Sequence, residues 1–102
     1  MEVFDISVEN RTMIGTSGVR KIKREGLVPG VLYQGNESIP ILFKEVDIRH
    51  ILDKNGNNVI LNVNLNGKQI RAKVQEVQRE PVNDEILHVD LMPLDNKVEY
   101  LH

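Results

Sequence analysis

Asn66-Gly67 stands between two strand-like segments, Val59–Leu65 and Lys68–Val77. Asn and Gly both tolerate the positive φ angles that a type I′ turn requires, so the pair predicts a tight hairpin of antiparallel strands. In the second segment Ile70, Ala72 and Val74 alternate with Arg71, Lys73 and Gln75, the period of a strand with one buried face. A chain containing this unit needs further strands to cover the buried face.

Further strand signals are present. Phe4, Ile6 and Val8 alternate with Asp5, Ser7 and Glu9. Pro29-Gly30 ends a preceding unit, and Val31–Tyr33 reads as a strand entering a Gln34–Ser38 turn. Ile39–Phe43 is another strand, with Pro40 marking an edge or an end. After a Pro81–Asp84 turn, Ile86–Leu91 forms a last strand. Two short helices interrupt this series. One spans about Val19 to Glu25, capped by Thr16 or Ser17 and closed by Gly26. The other spans about Lys44 to Asp53, with Val46, Ile48, Ile51 and Leu52 as its apolar set, and the tract Lys54–Asn58 stops it. Many short strands, two short helices and no βαβ rhythm predict an α+β, mainly β fold, a small antiparallel barrel or curved sheet.

Composition narrows the function classes. The 102 residues suffice for one domain with its own core. No cysteine is present, which excludes disulfides and thiolate metal sites. The N-terminal MEVFDISVEN lacks the basic and apolar regions of a signal peptide, and no apolar run is long enough for a membrane span. A cytoplasmic location without a membrane partner is the expectation. With two Tyr, two Phe and no Trp, serial base stacking is disfavoured, while backbone and groove contacts stay open.

Charge is unevenly placed. Lys and Arg number 13 against 15 Asp and Glu, for a net charge of −2. Arg11–Arg24, RTMIGTSGVRKIKR, nevertheless holds five bases and no acid. On the first helix, Arg20, Lys23 and Arg24 share the side opposite Val19 and Ile22, with Lys21 at its margin. Arg20 adds a cation to the positive end of a helix dipole, and no Glu or Gln at the third helical position offsets it. A bound anion explains this arrangement; a solvated basic face is the alternative.

Two other groups carry polar chemistry. His88 and Asp90, two apart on a strand, share a face. With Ser17 they would supply the residue types of a catalytic triad, but the Gly-x-Ser-x-Gly context is missing. Asp47 and His50 lie one helical turn apart, yet two ligands do not make a metal site. Gln75, Gln78 and Arg79 precede the His88 strand and bear side chains suited to base edges and phosphates, or simply to solvent.

Taken together, GTSGVRKIKREGLVPGVLYQG at Gly15–Gly35 and VQREPVNDEILHVD at Val77–Asp90 resemble the two signature regions of one family. It is the bacterial 5S-rRNA-binding ribosomal protein family, large-subunit protein twenty-five, which includes the general stress protein Ctc. The resemblance covers about Phe4 to Leu91. It implies a six-stranded antiparallel or mixed β-barrel with two or three helices, no catalysis, no cofactor and no small-molecule substrate. The implied partners are 5S rRNA, at its loop E region, and the large ribosomal subunit. Irregular RNA of this kind is read through a widened minor groove and its backbone. Carried over by motif position, Arg20, Lys21 and Lys23 contact phosphates or groove edges, Ser17 lies near the backbone, and Arg11 reaches an adjacent phosphate. Tyr33 lies at the RNA surface, and Gln75, Gln78, Arg79, His88 and Asp90 supply polar contacts from the sheet.

The chain departs from the family pattern at four places. Thr16 replaces a usual Lys, Lys23 a usual Arg, Glu80 a usual His, and Leu91 a usual Phe. Each is expected to remove or weaken an RNA contact, so a stress-related protein acting through protein partners is the alternative reading. Residues 1–92 form the expected RNA-binding domain. Residues 93–102 are a tail, or the start of the second domain that long family members carry.

Overall fold

The computed structural model describes residues 2–11 and 19–94, the side chains of Val19 and Arg20 excepted. In chain order its elements are β1 (Val3–Asn10), α1 (Val19–Arg24), β2 (Leu27–Gln34), β3 (Glu37–Lys44), α2 (Glu45–Asn55), β4 (Ile60–Leu65), β5 (Lys68–Arg79) and β6 (Ile86–Pro93). The six strands close into a barrel in the order β1-β3-β2-β6-β5-β4. The fold is α+β and mainly β, as expected. The sheet is mixed: β1 with β4 and β2 with β6 are parallel, and the other four pairs are antiparallel. Both parallel pairs join strands far apart in sequence.

Alternation fills the interior. Ile6 and Val8, Leu61, Val63 and Leu65, and Val89 and Leu91 point inward, with Phe43, Leu32 and Ile41 the largest buried side chains among them. α2 adds Ile48, Ile51 and Leu52 to the same core. Val46, assigned by periodicity to that apolar face, is instead 69% exposed. At 100° per residue Ile48, Ile51 and Leu52 lie on one side of α2, and Val46 falls on the opposite side, away from the core. The hairpin is as predicted: Leu65 pairs with Lys68, and Asn66 and Gly67 take φ angles of 54° and 83°.

Pro29-Gly30 does not end a unit; both residues lie within β2. Pro29 precedes the part of β2 that pairs with β6, where its missing N–H is least costly. Gly30 is there because nothing larger fits. A Cβ on it would stand 2.2 Å from the Val89 carbonyl oxygen and 2.7 Å from Cε2 of Phe43. Pro40 has an edge character after all, since β1 pairs only with Ile41–Phe43 of β3 and has ended before it.

Candidate nucleic-acid interface

The outer face of β5 and β6 gathers most of the polar residues singled out in the sequence. Cross-strand pairs set Gln78 opposite His88 and Glu76 opposite Asp90, with Val77 and Val89 between them turned to the core. His88 Nδ1 lies 2.9 Å from Asp90 Oδ1. The contact is an ion pair in distance, but the ring N–H is not aligned on that oxygen. Asp90 Oδ1 is buried and has no hydrogen-bond donor within the described residues. A buried acceptor left unpaired costs about 1–3 kcal/mol, so it favours an incoming donor.

A bulge controls which residues reach this face. Pairing shifts between Val74 and Glu76, so Gln75 is the extra residue and both Gln75 and Glu76 are exposed. A second irregularity lies between Gln78 and Arg79, opposite Leu87. Such insertions re-aim side chains by breaking the two-residue period. Plain alternation, as read from the sequence, could not locate them.

β2 extends the face on the other side of β6. Val31 is level with Asp90, and Tyr33, two residues further along, is half-buried on the same side. The close contact at Gly30 is what lets β2 lie against β6 at this level. Gly30 is therefore a site-forming residue, and its position beside Pro in the sequence signalled a turn instead.

α1 sits where this face begins. Ile22 is buried and docks the helix, while Lys21 and Arg24 are exposed. Lys23, expected beside Arg24 on a free basic side, is turned inward: it forms an ion pair with Glu85 and donates to the Ile86 carbonyl at 3.2 Å. The helix is thereby tied to the start of β6, two residues from His88. Ser17 and Thr16 lie outside the described residues, as does the Arg20 side chain. Arg11 follows the last residue of β1, half-buried, across β3 from β2.

Arg79 faces away from Gln78. Its guanidinium reaches Asp84 at 3.0 Å and Asp53 of α2 at 3.4 Å. Arg49, which the sequence reading passed over, completes this network. It pairs with Glu45, lies 3.8 Å from Asp53 and 3.9 Å from Asp84, and donates to the Asp84 carbonyl at 3.0 Å. The hydrogen bond from Arg49 to Glu45 raises the guanidinium's pKa, with the nearby carboxylates of Glu45, Asp53 and Asp84 adding to it and burial opposing it. Glu80 is equally occupied: its Oε1 accepts from the N–H groups of Val82 and Asn83, both at 2.8 Å, and shapes the turn that carries Asp84.

Asp47 and His50 line an open cleft of about 590 Å3 with Asp5, Ser7, Asn62 and Asn64. Among the described residues no group of three or more His, Asp or Glu is placed to hold a metal. The cross-strand neighbours of His88 and Asp90 are Gln78 and Glu76, and none is a hydroxyl nucleophile. No helix among the described residues is long and apolar enough to cross a membrane.

Residues 6–91 match the Ribosomal L25p family. The chain belongs to that family. Among its relatives is a Bacillus licheniformis protein named large ribosomal subunit protein bL25, 35% identical over 95 residues, or 92% of this chain and 46% of the relative. A Listeria monocytogenes protein of the same name is 30% identical over an equal length. One from Caldanaerobacter subterraneus is 36% identical over 78 residues, 74% of this chain and 39% of that protein. The chain thus spans about half the length of the curated relatives it matches.

Proposed function

We propose that this chain is a non-enzymatic RNA-binding unit that docks on the loop E region of 5S rRNA as part of the large ribosomal subunit, in the cytoplasm. The observation that carries the reading is the outer sheet surface of the neighbouring strands β5, β6 and β2, with α1 tied through Lys23 to the start of β6. On these elements lie Lys21, His88, Asp90, Gln78, Gln75 and Tyr33, each at the position the family resemblance assigns to RNA. The names of the relatives support the ribosomal setting. Asp90 suits such a partner despite its charge, because a carboxylate accepts hydrogen bonds from base amino groups. Arg11, Ser17, Arg20, Lys23 and Arg79 belong to the proposed contact set by the resemblance. The RNA-binding unit is the barrel, whose backbone pairing runs to Leu94 among the described residues.

Titration of the chain with a 5S loop E fragment tests the reading. If about four phosphates are neutralised, log K falls against log[salt] with a slope of roughly −3 to −4. Arg20→Glu with Lys23→Glu should abolish binding, with the melting temperature read in parallel. Saturable binding retained by that double variant would refute the site.

A second reading has its own support. Lys23 and Arg79 are engaged within the protein, and Glu80 accepts from its own turn. A stress-related protein with weakened RNA binding, acting through protein partners, fits those features. No saturable binding to loop E RNA at moderate salt would favour it.

A further inference from the structure

The outward row of β5 does not stop at Glu76. Beyond the bulge, Lys73 stands opposite Met92, and the Leu94 N–H donates to the Arg71 carbonyl at 2.8 Å. Lys73 and Arg71 therefore rise on the same side of the sheet as Gln78, His88 and Asp90. From Gln78 to Arg71 the row is about 20 Å long. Both cations are exposed, and neither side chain has an ion pair or hydrogen bond among the described residues.

That freedom separates them from Lys23 and Arg79. A cation already paired with a carboxylate must give up that partner to meet a phosphate, so its net release of counterions is small. An unpaired one contributes in full. The row ends at a cleft of about 470 Å3 lined by Tyr33, Gln34, Gln69, Arg71, Met92 and Leu94, among others. This lining offers an aromatic face, two amides able to donate and accept, one guanidinium and an apolar floor. Among the described residues no carboxylate lines it. Those are the groups that recognise an unstacked base and its phosphate.

We propose that Arg71 and Lys73 form a second phosphate-binding segment, and that the cleft between Arg71 and Tyr33 takes an unstacked nucleotide of the bound RNA. This rests on the RNA-binding reading above and extends its footprint along β5.

Fluorescence anisotropy with a labelled 5S loop E fragment, at several salt concentrations, tests it on the whole chain. Arg71→Gln with Lys73→Gln should make the salt slope shallower by about 1.4 to 1.8, the share of two phosphates. Lys54→Gln, at an exposed position on α2 unpaired among the described residues, should leave it unchanged. Tyr33→Phe should bind like the parent, and Tyr33→Ala should lose roughly fivefold or more in affinity. Circular dichroism melts establish that each variant is folded. A parent slope in the double variant, an equal change in Lys54→Gln, or equal binding by Tyr33→Ala and Tyr33→Phe overturns the inference. Failure of the parent to bind loop E RNA overturns the RNA reading itself, and is thereby distinguished from failure of this extension.

Discussion

Replacing Gly30 with Ala tests how the barrel wall is closed next to the proposed interface. The added methyl would stand 2.2 Å from the Val89 carbonyl oxygen and 2.7 Å from Cε2 of Phe43. The Phe43 ring can turn; the Val89 oxygen belongs to the partner strand and cannot. Reaching a tolerable contact requires β2 and β6 to separate by about 1 Å. Only Gly30–Leu32 and Val89–Leu91 pair across this seam, so few bonds resist the separation and all of them feel it. Overpacking a core costs about 1–3 kcal/mol, and obstruction by backbone belongs at the upper end. For a domain of this size that lowers the melting temperature by roughly 10–25 °C. His88 and Asp90 flank Val89, so the same shift should weaken binding to loop E RNA.

Urea unfolding followed by circular dichroism gives the stability change from the midpoint and slope. Gly35→Ala is the comparison. Gly35 has φ of +61° but nothing within 4 Å of its added Cβ, so its cost is the left-handed backbone alone, about 1–2 kcal/mol. An unchanged midpoint in Gly30→Ala, or a loss smaller than that of Gly35→Ala, would refute the close-approach argument.

Two further substitutions probe groups engaged within the protein. Glu80→Ala removes the acceptor of two backbone N–H groups and should cost about 1 kcal/mol, with faster hydrogen exchange at Val82 and Asn83. Unchanged exchange there would show that Glu80 does not shape the turn. Glu85→Gln breaks an ion pair that is partly exposed on both sides, so the stability loss should stay under about 1 kcal/mol. It should also free Lys23 and steepen the salt dependence of RNA binding by up to about 0.9. An unaltered slope would mean that Lys23 serves only to hold α1.

Much of the fold follows from short-range chemistry. The Asn66-Gly67 turn, the stop of α2 within Lys54–Asn58 and the alternation in β1 and in Ile70–Val74 of β5 each depend on neighbours a few residues away, and the sequence shows them. Val46 is apolar by residue type but lies about half a turn round α2 from Ile48, Ile51 and Leu52, so composition alone groups it with them and helical geometry does not. Pro29-Gly30 was misread because the same dipeptide serves a turn and a close strand contact. Only Val89 and Phe43, distant in sequence, distinguish the two.

The sequence by itself determined the hairpin, the alternating sets of β1 and of β5 up to Val74, the family, and the sharing of one face by His88 and Asp90. Each follows from residue type at short spacing. Tertiary structure alone decided the two parallel seams, the bulge at Gln75 and the partners of the cations. Lys23 and Arg79 look free in the sequence and are held by Glu85, Asp53 and Asp84. Arg71 and Lys73 look like ordinary strand residues and are exposed without a partner among the described residues. The physical reason is range: an ion pair between residues 62 apart, such as Lys23 and Glu85, exists only after the barrel has closed.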